Sequence, residues 1–483
     1  MQANLNKRVY LLGLDFGSTT SSALVASANV SCSSATGRMA FTEPCIVFRS
    51  EPVFTPFINQ SIDTDKIRSL IQQWLLQSGL TPSQIFSGGS IITGLAARSD
   101  NASALSKQIV SIVGDSVIAT ADDPCLESWL AFMGSCSALS RYHSAIHILN
   151  LDIGGGTTNA AIGVNGDVLT TGCYFIGARH VQFIPGSYQL LALSDIGLAL
   201  LKSLNINANV GDTLTSEERY VILYFYVSAL EAIVLNETDF FVTINGQRHC
   251  QVALDIGSML RHKIKPKVTF SGGVGELIYQ CATEKPLPDT TYFGDFGIDL
   301  AIAITKSTIL AKDLNRYIPE NKGRATVYGL TLHSTEISGH TIYLPNLSAL
   351  PLNDIPVIAK LSLDSTDEMW QSAFNLAAHR QLGACIQLID LNTTTSFHAL
   401  DIIKSLALKI KHHYALSGYS NTQALLILVE ENIGKVLGNY ISDWGQSMQN
   451  LIVIDEVPHR DAHFVNVGRL HQQMVPVSFF GMH

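Results

Sequence analysis

Apolar positions along this chain recur with two periods, and the change of period marks its elements. Strand-like runs fall at residues 9–15, 21–27, 41–48, 90–94 and 116–120, then at 146–151, 158–164 and 267–271. Pro44 predicts that run 41–48 lies at a sheet edge. Helical spacing appears at 63–78, where Ile67, Leu70, Ile71, Trp74 and Leu75 share a face and Gly79 ends the pattern. Further helices are expected at 101–113, 196–204, 217–235 and 295–304, with 217–235 apolar almost all round and therefore expected to be buried. Residues 324–329 lead into an expected hairpin at 336–344, turning at Ser338-Gly339. Pro351 and Pro356 punctuate an expected linker at 350–356. Beyond it, strands 384–390, 424–429 and 451–455 alternate with helices 397–412 and 433–442, the pattern of a small parallel sheet.

Two of these strands end alike. Run 146–151 stops at Asp152, and Ile153-Gly154-Gly155-Gly156-Thr157-Thr158 follows. Glycines without Cβ turn tightly and bring backbone N–H groups close to an anion, while Thr157 and Thr158 add hydroxyl donors. Asp152 can hold a hydrated Mg²⁺ beside phosphates, because Mg²⁺ keeps waters and takes one or two protein carboxylates. A single such turn is more often a plain hairpin. The chain carries a second copy, however, at Asp15-Phe16-Gly17-Ser18-Thr19-Thr20. The repeat predicts two related half-domains facing each other, a phosphate turn from each closing on one nucleotide. A third Gly-rich turn, Ser271-Gly272-Gly273-Val274-Gly275, ends strand 267–271 and would let backbone lie against a ring or ribose.

Ahead of the second turn, Asp123-Pro124-Cys125-Leu126-Glu127 opens a helix. Ordinary capping explains Asp, Pro and Glu in a first turn. A role for Glu127 near the nucleotide, or in a crossing helix, is the alternative.

Composition narrows the classes. With 483 residues the chain has room for at least two domains, and 47% apolar against 15% charged content makes it globular. A net charge of −9 without basic runs argues against nucleic acid. Eight cysteines without a CxxC pair indicate neither zinc nor a disulfide frame and read as thiols of a reducing cytoplasm. No signal peptide or membrane-spanning run is expected. His143 with His147 and His459 with His463 are spaced four apart but lack the Glu and third ligand of a metal site.

These residues resemble the actin, sugar-kinase and heat-shock-chaperone ATPase superfamily through the two Asp-x-Gly turns, the Ser-Gly-Gly-Val-Gly turn and the Pro/Glu helix. Within it the chain is most similar to the family of ethanolamine ammonia-lyase reactivating factors, over residues 11–476. The likeness includes Ile91-Ile92-Thr93-Gly94, Leu126-Glu127-Ser128, the run 150–157, Arg324-Ala325-Thr326-Val327, Gly434-Lys435-Val436-Leu437-Gly438 and Val453-Ile454-Asp455-Glu456-Val457. Leu95 stands where that family carries Glu. Tyr328 to His333 replace smaller residues, and residues 460–463 and 469–473 replace Gly-rich turns.

The resemblance implies an α/β fold with two actin-like (ribonuclease H-like) half-domains, 1–150 and 151–344, around a nucleotide cleft, and a C-terminal α/β domain, 345–483. It implies ATP and Mg²⁺ as cofactors. Asp15, Asp152 and Glu127 would be catalytic, with Asp15 and Asp152 also at the metal. Gly17, Ser18, Thr19 and Thr20 match the first phosphate turn; Gly154, Gly155, Gly156 and Thr157 match the second. Ser271, Gly272, Gly273 and Gly275 match the adenosine turn. The implied function is ATP-dependent exchange of damaged cobalamin for intact adenosylcobalamin on ethanolamine ammonia-lyase. The protein is expected to be cytoplasmic, and both a homo-oligomer and association with a bacterial microcompartment stay open. A small-molecule kinase and a nucleotide-binding protein without turnover remain alternatives on the same scaffold.

Overall fold

The computed structural model describes residues 7–32, 39–58, 61–93, 102–113, 117–121, 123–261, 264–339, 341–380, 383–391, 399–420, 423–471 and 473–482. The expectations for Gly94 and Leu95 lie outside them.

Three sheets organise the chain. In the first, strands Met39–Arg49, Thr20–Cys32 and Lys7–Phe16 form an antiparallel meander, and Ile85–Ile92 and Val117–Ala121 extend it in parallel. Met39–Arg49 is the edge strand, the position where Pro44 removes no central ladder bond. The second sheet repeats the plan. Asp167–Tyr174, Thr158–Val164 and Ile148–Ile153 form the meander, Lys267–Ser271 pairs in parallel with Ile148–Ile153, and Cys250–Val252 adds an edge.

The duplication reaches into the turns. Phe16 pairs with Ser21 and Ile153 with Thr158, so each turn has four residues. Each is closed by the same bond: Gly17 N–H to the Thr20 carbonyl at 3.0 Å, and Gly154 N–H to the Thr157 carbonyl at 2.9 Å. Asn165 and Gly166, at φ 54° and 90°, make the hairpin that returns the second meander.

Helix Thr64–Ser78 packs Ile67, Ile71, Trp74 and Leu75 onto the first sheet. The Asp63 side chain caps it at the Lys66 N–H, and Gly79 ends it in the left-handed region. On the second sheet, helix Ser216–Leu235 departs from expectation. One face is buried through Ile222, Phe225, Tyr226 and Ala229, but Tyr220 and Tyr224 are 68% and 64% exposed. A tyrosine covers apolar surface with its ring and keeps its hydroxyl wet, so an apolar count overstates burial here.

Residues 324–344 also fold differently from the expected hairpin. Ala325–His333 is a helix, and Glu336–Ser338 is a strand paired with Val475–Met482 of the third sheet. The helix is set by packing: it crosses helix Pro124–Ser135 at van der Waals range, Gly134 against Ala325 and Gly329 against Leu130. The bulk at Tyr328 is accommodated, since its buried ring receives the Arg49 guanidinium at its hydroxyl and, at 5.3 Å, near its face.

The third sheet runs Glu336–Ser338, Val475–Met482, Ala462–Val467, Leu352–Leu361, Ala384–Leu388, Leu425–Val429, Leu451–Ile454. Its last four strands are parallel, as the βαβ alternation predicts, with helices Asp367–Ala378, Ala399–Ser417 and Gly434–Ile441 between them. The expected linker at 350–356 is instead the start of Leu352–Leu361. Pro356 lies where that strand passes from its antiparallel partner to its parallel one, a place that tolerates a missing N–H. The C-terminal strand rests on helix Pro124–Ser135: the Gly481 N–H meets Asp123 Oδ2 at 2.6 Å, and Phe480 packs against the cluster of Ile91, Leu126, Leu130 and Leu330.

Candidate nucleotide site

The ends of strands Lys7–Phe16 and Ile148–Ile153 open onto one cleft of about 400 Å³. Its lining contains Asp15, Gly17, Ser18, Thr19, Thr20, Glu127, Asp152, Gly154, Gly155, Gly156, Thr157, Gly272 and Gly273. The two phosphate turns also touch. A Cβ on Gly155 would stand 2.5 Å from Thr19 Oγ1, so this glycine is what lets the turns close on each other. The N-terminus of helix Gly272–Ala282 reaches the same cleft, presenting backbone N–H groups and the positive end of its dipole.

Three carboxylates face one another here, and burial makes their charges costly. Asp15 is pushed up to about 7, first by burial and then by the charge of Asp152, against a hydrogen bond from Thr93. Burial pushes Asp152 up to about 6, opposed by Ser271. Glu127 is raised well above the usual carboxylate range by burial and by Asp15 and Asp152, with an Asn159 hydrogen bond opposing. No basic group offsets these shifts, and Asp15 Oδ1 is buried with no hydrogen-bond partner. A divalent cation fits this deficit. Among the described residues no three His, Cys, Asp or Glu side chains converge closely enough to ligate an ion directly. The residues present therefore suit a hydrated divalent cation rather than a protein-caged one.

Ser271 and Gly275 are not in the lining. Ser271 is fully buried and donates its hydroxyl to Asp152 Oδ1, and a Cβ on Gly275 would lie 3.0 Å from the Phe270 carbonyl carbon. Thr158, expected to offer a donor to phosphate, is buried and bonds the Ile176 carbonyl at 2.7 Å instead. The capping reading of this helix holds, since Asp123 caps it through the Leu126 N–H at 3.0 Å, and the same first turn brings Glu127 into the cleft lining.

Sequence reasoning missed Thr93, Asn159, Asp295 and Arg324 in the lining. Thr93 sits in the Ile-Ile-Thr-Gly run and Asn159 directly follows the second turn, so each had a local signal. Asp295, held at 3.7 Å by Arg179, had none. Arg324 donates to the Ser50 carbonyl at 2.6 Å and so joins the crossing helix to the first half-domain.

The duplicated sheets, the paired phosphate turns and the cleft between them define an actin-like ATPase fold. A family model described as "Ethanolamine utilisation protein EutA" matches residues 7–479, and the chain belongs to that family. Two curated relatives carry the name ethanolamine ammonia-lyase reactivase EutA. The one from Salmonella typhimurium is 27% identical and the one from Escherichia coli 28%, each over 96% of both chains. Among solved structures, ethanolamine utilization protein EutJ from Carboxydothermus hydrogenoformans is 13% identical, covering 68% of this chain and 91% of its own, with a TM-score of 0.30. Among the described residues no helix is long and apolar enough to cross a membrane.

Proposed function

We propose that this protein is an ATP-dependent reactivating factor for adenosylcobalamin-dependent ethanolamine ammonia-lyase, releasing damaged cobalamin so that intact cofactor can enter. Family membership and the names of the two relatives support the lyase as partner. The observation that carries the ATP reading is the closure of both phosphate turns on a cleft holding Asp15, Asp152 and Glu127.

In this reading the N–H groups and hydroxyls of 17–20 and 154–157 bind the phosphates, and Gly272 and Gly273 lie along the nucleoside. Asp15 and Asp152 orient Mg²⁺ through its waters; when bound, the ion supplies positive charge against the phosphates. Glu127 holds a proton or positions the attacking water, as its raised affinity for protons favours. Phosphoryl transfer depends mostly on positioning and charge, which these groups provide. The crossing helices Pro124–Ser135 and Ala325–His333 act as the hinge, and the C-terminal strand bonded to Asp123 carries the motion to the third sheet. The units 1–150, 151–344 and 345–483 are the proposed moving parts, with Glu336–Ser338 belonging by its pairing to the last. The site of action is the cytoplasm.

The test is restoration of activity to cyanocobalamin-inactivated ethanolamine ammonia-lyase by this protein with ATP, Mg²⁺ and adenosylcobalamin. Recovery that needs all three supports the proposal. Transfer of phosphate to a small-molecule acceptor, without recovery, would replace it with the kinase reading.

A further inference from the structure

Ser271 ends strand Lys267–Ser271 and stands in register beside Asp152 on the parallel strand Ile148–Ile153. Its hydroxyl is fully buried and has a fixed direction. Asn150 Nδ2 donates to Ser271 Oγ at 2.8 Å, so the hydroxyl oxygen already accepts one bond from this side. The Asn150 amide is itself oriented, because its Oδ1 accepts from Thr269 Oγ1 at 3.2 Å. With its oxygen facing the Thr269 hydroxyl, which also lies 3.4 Å from the Leu149 carbonyl, the amide turns its N–H₂ toward Ser271. The one proton of Ser271 is then left for Asp152 Oδ1, to which it donates.

The next residue continues the lock. Gly272 has φ +81°, and a Cβ there would lie 2.5 Å from the Ile153 carbonyl oxygen. Two successive residues of the third turn are thus fastened to the strand end that carries Asp152, one by hydroxyl and one by backbone contact.

We infer that Ser271 is a positioning residue: through Asn150 and Thr269 it fixes the rotamer of the Asp152 carboxylate and joins it to the turn at Gly272–Gly273. This rests on the reading of Asp152 as the carboxylate that orients the metal. A carboxylate that can rotate presents no fixed acceptor to a hydrated ion; because Asp152 meets the ion through water, losing its partner should weaken metal binding by about 10-fold, the low end of what is lost when the partner of a direct metal ligand is removed. Nucleotide contacts made by the turn's backbone do not pass through the hydroxyl, so metal-free ATP binding is unaffected.

The experiment uses the full chain with Mn²⁺ as probe, titrated in the presence of a non-hydrolysable ATP analogue and followed by paramagnetic resonance of the free ion. Calorimetry with ATP and chelator gives metal-free affinity, and thermal unfolding checks the fold. Ser271→Ala is expected to weaken Mn²⁺ binding by about 10-fold with metal-free ATP affinity unchanged. Ser271→Thr, which keeps the hydroxyl, is expected to recover most of the loss. Ser271→Cys, with a weak donor of similar size, carries the same expectation as Ala should the alanine variant fail to fold. Wild-type Mn²⁺ affinity in a folded Ser271→Ala or Ser271→Cys variant overturns the inference. Asp152→Asn separates the two levels. If it weakens Mn²⁺ binding while the Ser271 variants do not, only the positioning role falls. If it too binds like wild type, the metal reading of the cleft falls first.

Discussion

Gly134 and Gly329 meet where two helices cross: a Cβ on Gly134 would stand 2.5 Å from the Gly329 backbone nitrogen and would overlap the Ala325 carbonyl oxygen. A Cβ on Gly329 would in turn come within 2.6 Å of the Leu130 carbonyl carbon. Neither contact is with the end of a flexible side chain, so neither can be relieved without moving a helix. Gly134→Ala and Gly329→Ala are each expected to cost about 1–3 kcal/mol by overpacking. Thermal unfolding measures it, and unchanged transitions in both would mean that the helices part freely at this point.

Asp15→Asn and Asp152→Asn are expected to abolish Mg²⁺-dependent ATP turnover while keeping the fold. Each carboxylate ends a strand held by apolar burial, and an amide of the same shape loses the charge alone. Transition-state charge stabilisation of this kind is worth orders of magnitude in rate. Turnover at the wild-type rate in either variant would remove that residue from the site.

The same carboxylates set a pH dependence. Asp15 binds its proton up to about pH 7 in the folded protein, against 3.8 ordinarily, and Asp152 up to about 6. Glu127 shifts in the same direction. Between the ordinary and the raised values the folded state holds protons that the unfolded chain has released. Their contribution to stability is therefore full below about pH 3.8 and is lost as pH rises through 6 and 7. Metal-free wild type should accordingly melt lower at pH 8 than at pH 6, and Asp15→Asn should show a shallower slope. Parallel melting-temperature curves for the two proteins would contradict the burial of Asp15 as a charge.

What the sequence made legible follows from how local each feature is. Both Asp-x-Gly turns are legible because strand, Asp, glycine and hydroxyl lie within ten residues, and the pattern at Asp15 repeats at Asp152. Helix Ala325–His333 was not, since Thr326, Val327, Tyr328 and Gly329 have weak helix propensity and its conformation is imposed by the partner at Gly134. Ser271 falls in the adenosine turn through its match to the Ser-Gly-Gly-Val-Gly run of the resembled family. Its true orientation depends on the register of two strands distant in sequence, which no local pattern carries. Asp295 lies in no strand; its place in the cleft goes with its ion pair to Arg179, which is also distant in sequence.

The third turn yields the last prediction, and Gly272 and Gly273 divide it. Gly272 carries the positive φ, +81°, and has the Ile153 carbonyl oxygen 2.5 Å from where a Cβ would be. Gly272→Ala therefore meets both backbone strain of about 1 kcal/mol or more and a backbone clash, and is expected to lower the melting temperature. Gly273 has nothing within 4 Å of its Cβ position and lines the cleft. Gly273→Val should fold as well as wild type while its side chain occupies the space proposed for the nucleoside. Because that contact is away from the reacting phosphate, the loss should fall on ATP affinity, with turnover at saturation little changed, as when binding common to ground and transition states is removed. Nucleotide titration beside thermal unfolding, on both variants, separates the two effects. Full ATP affinity in folded Gly273→Val would place the nucleoside elsewhere in the cleft.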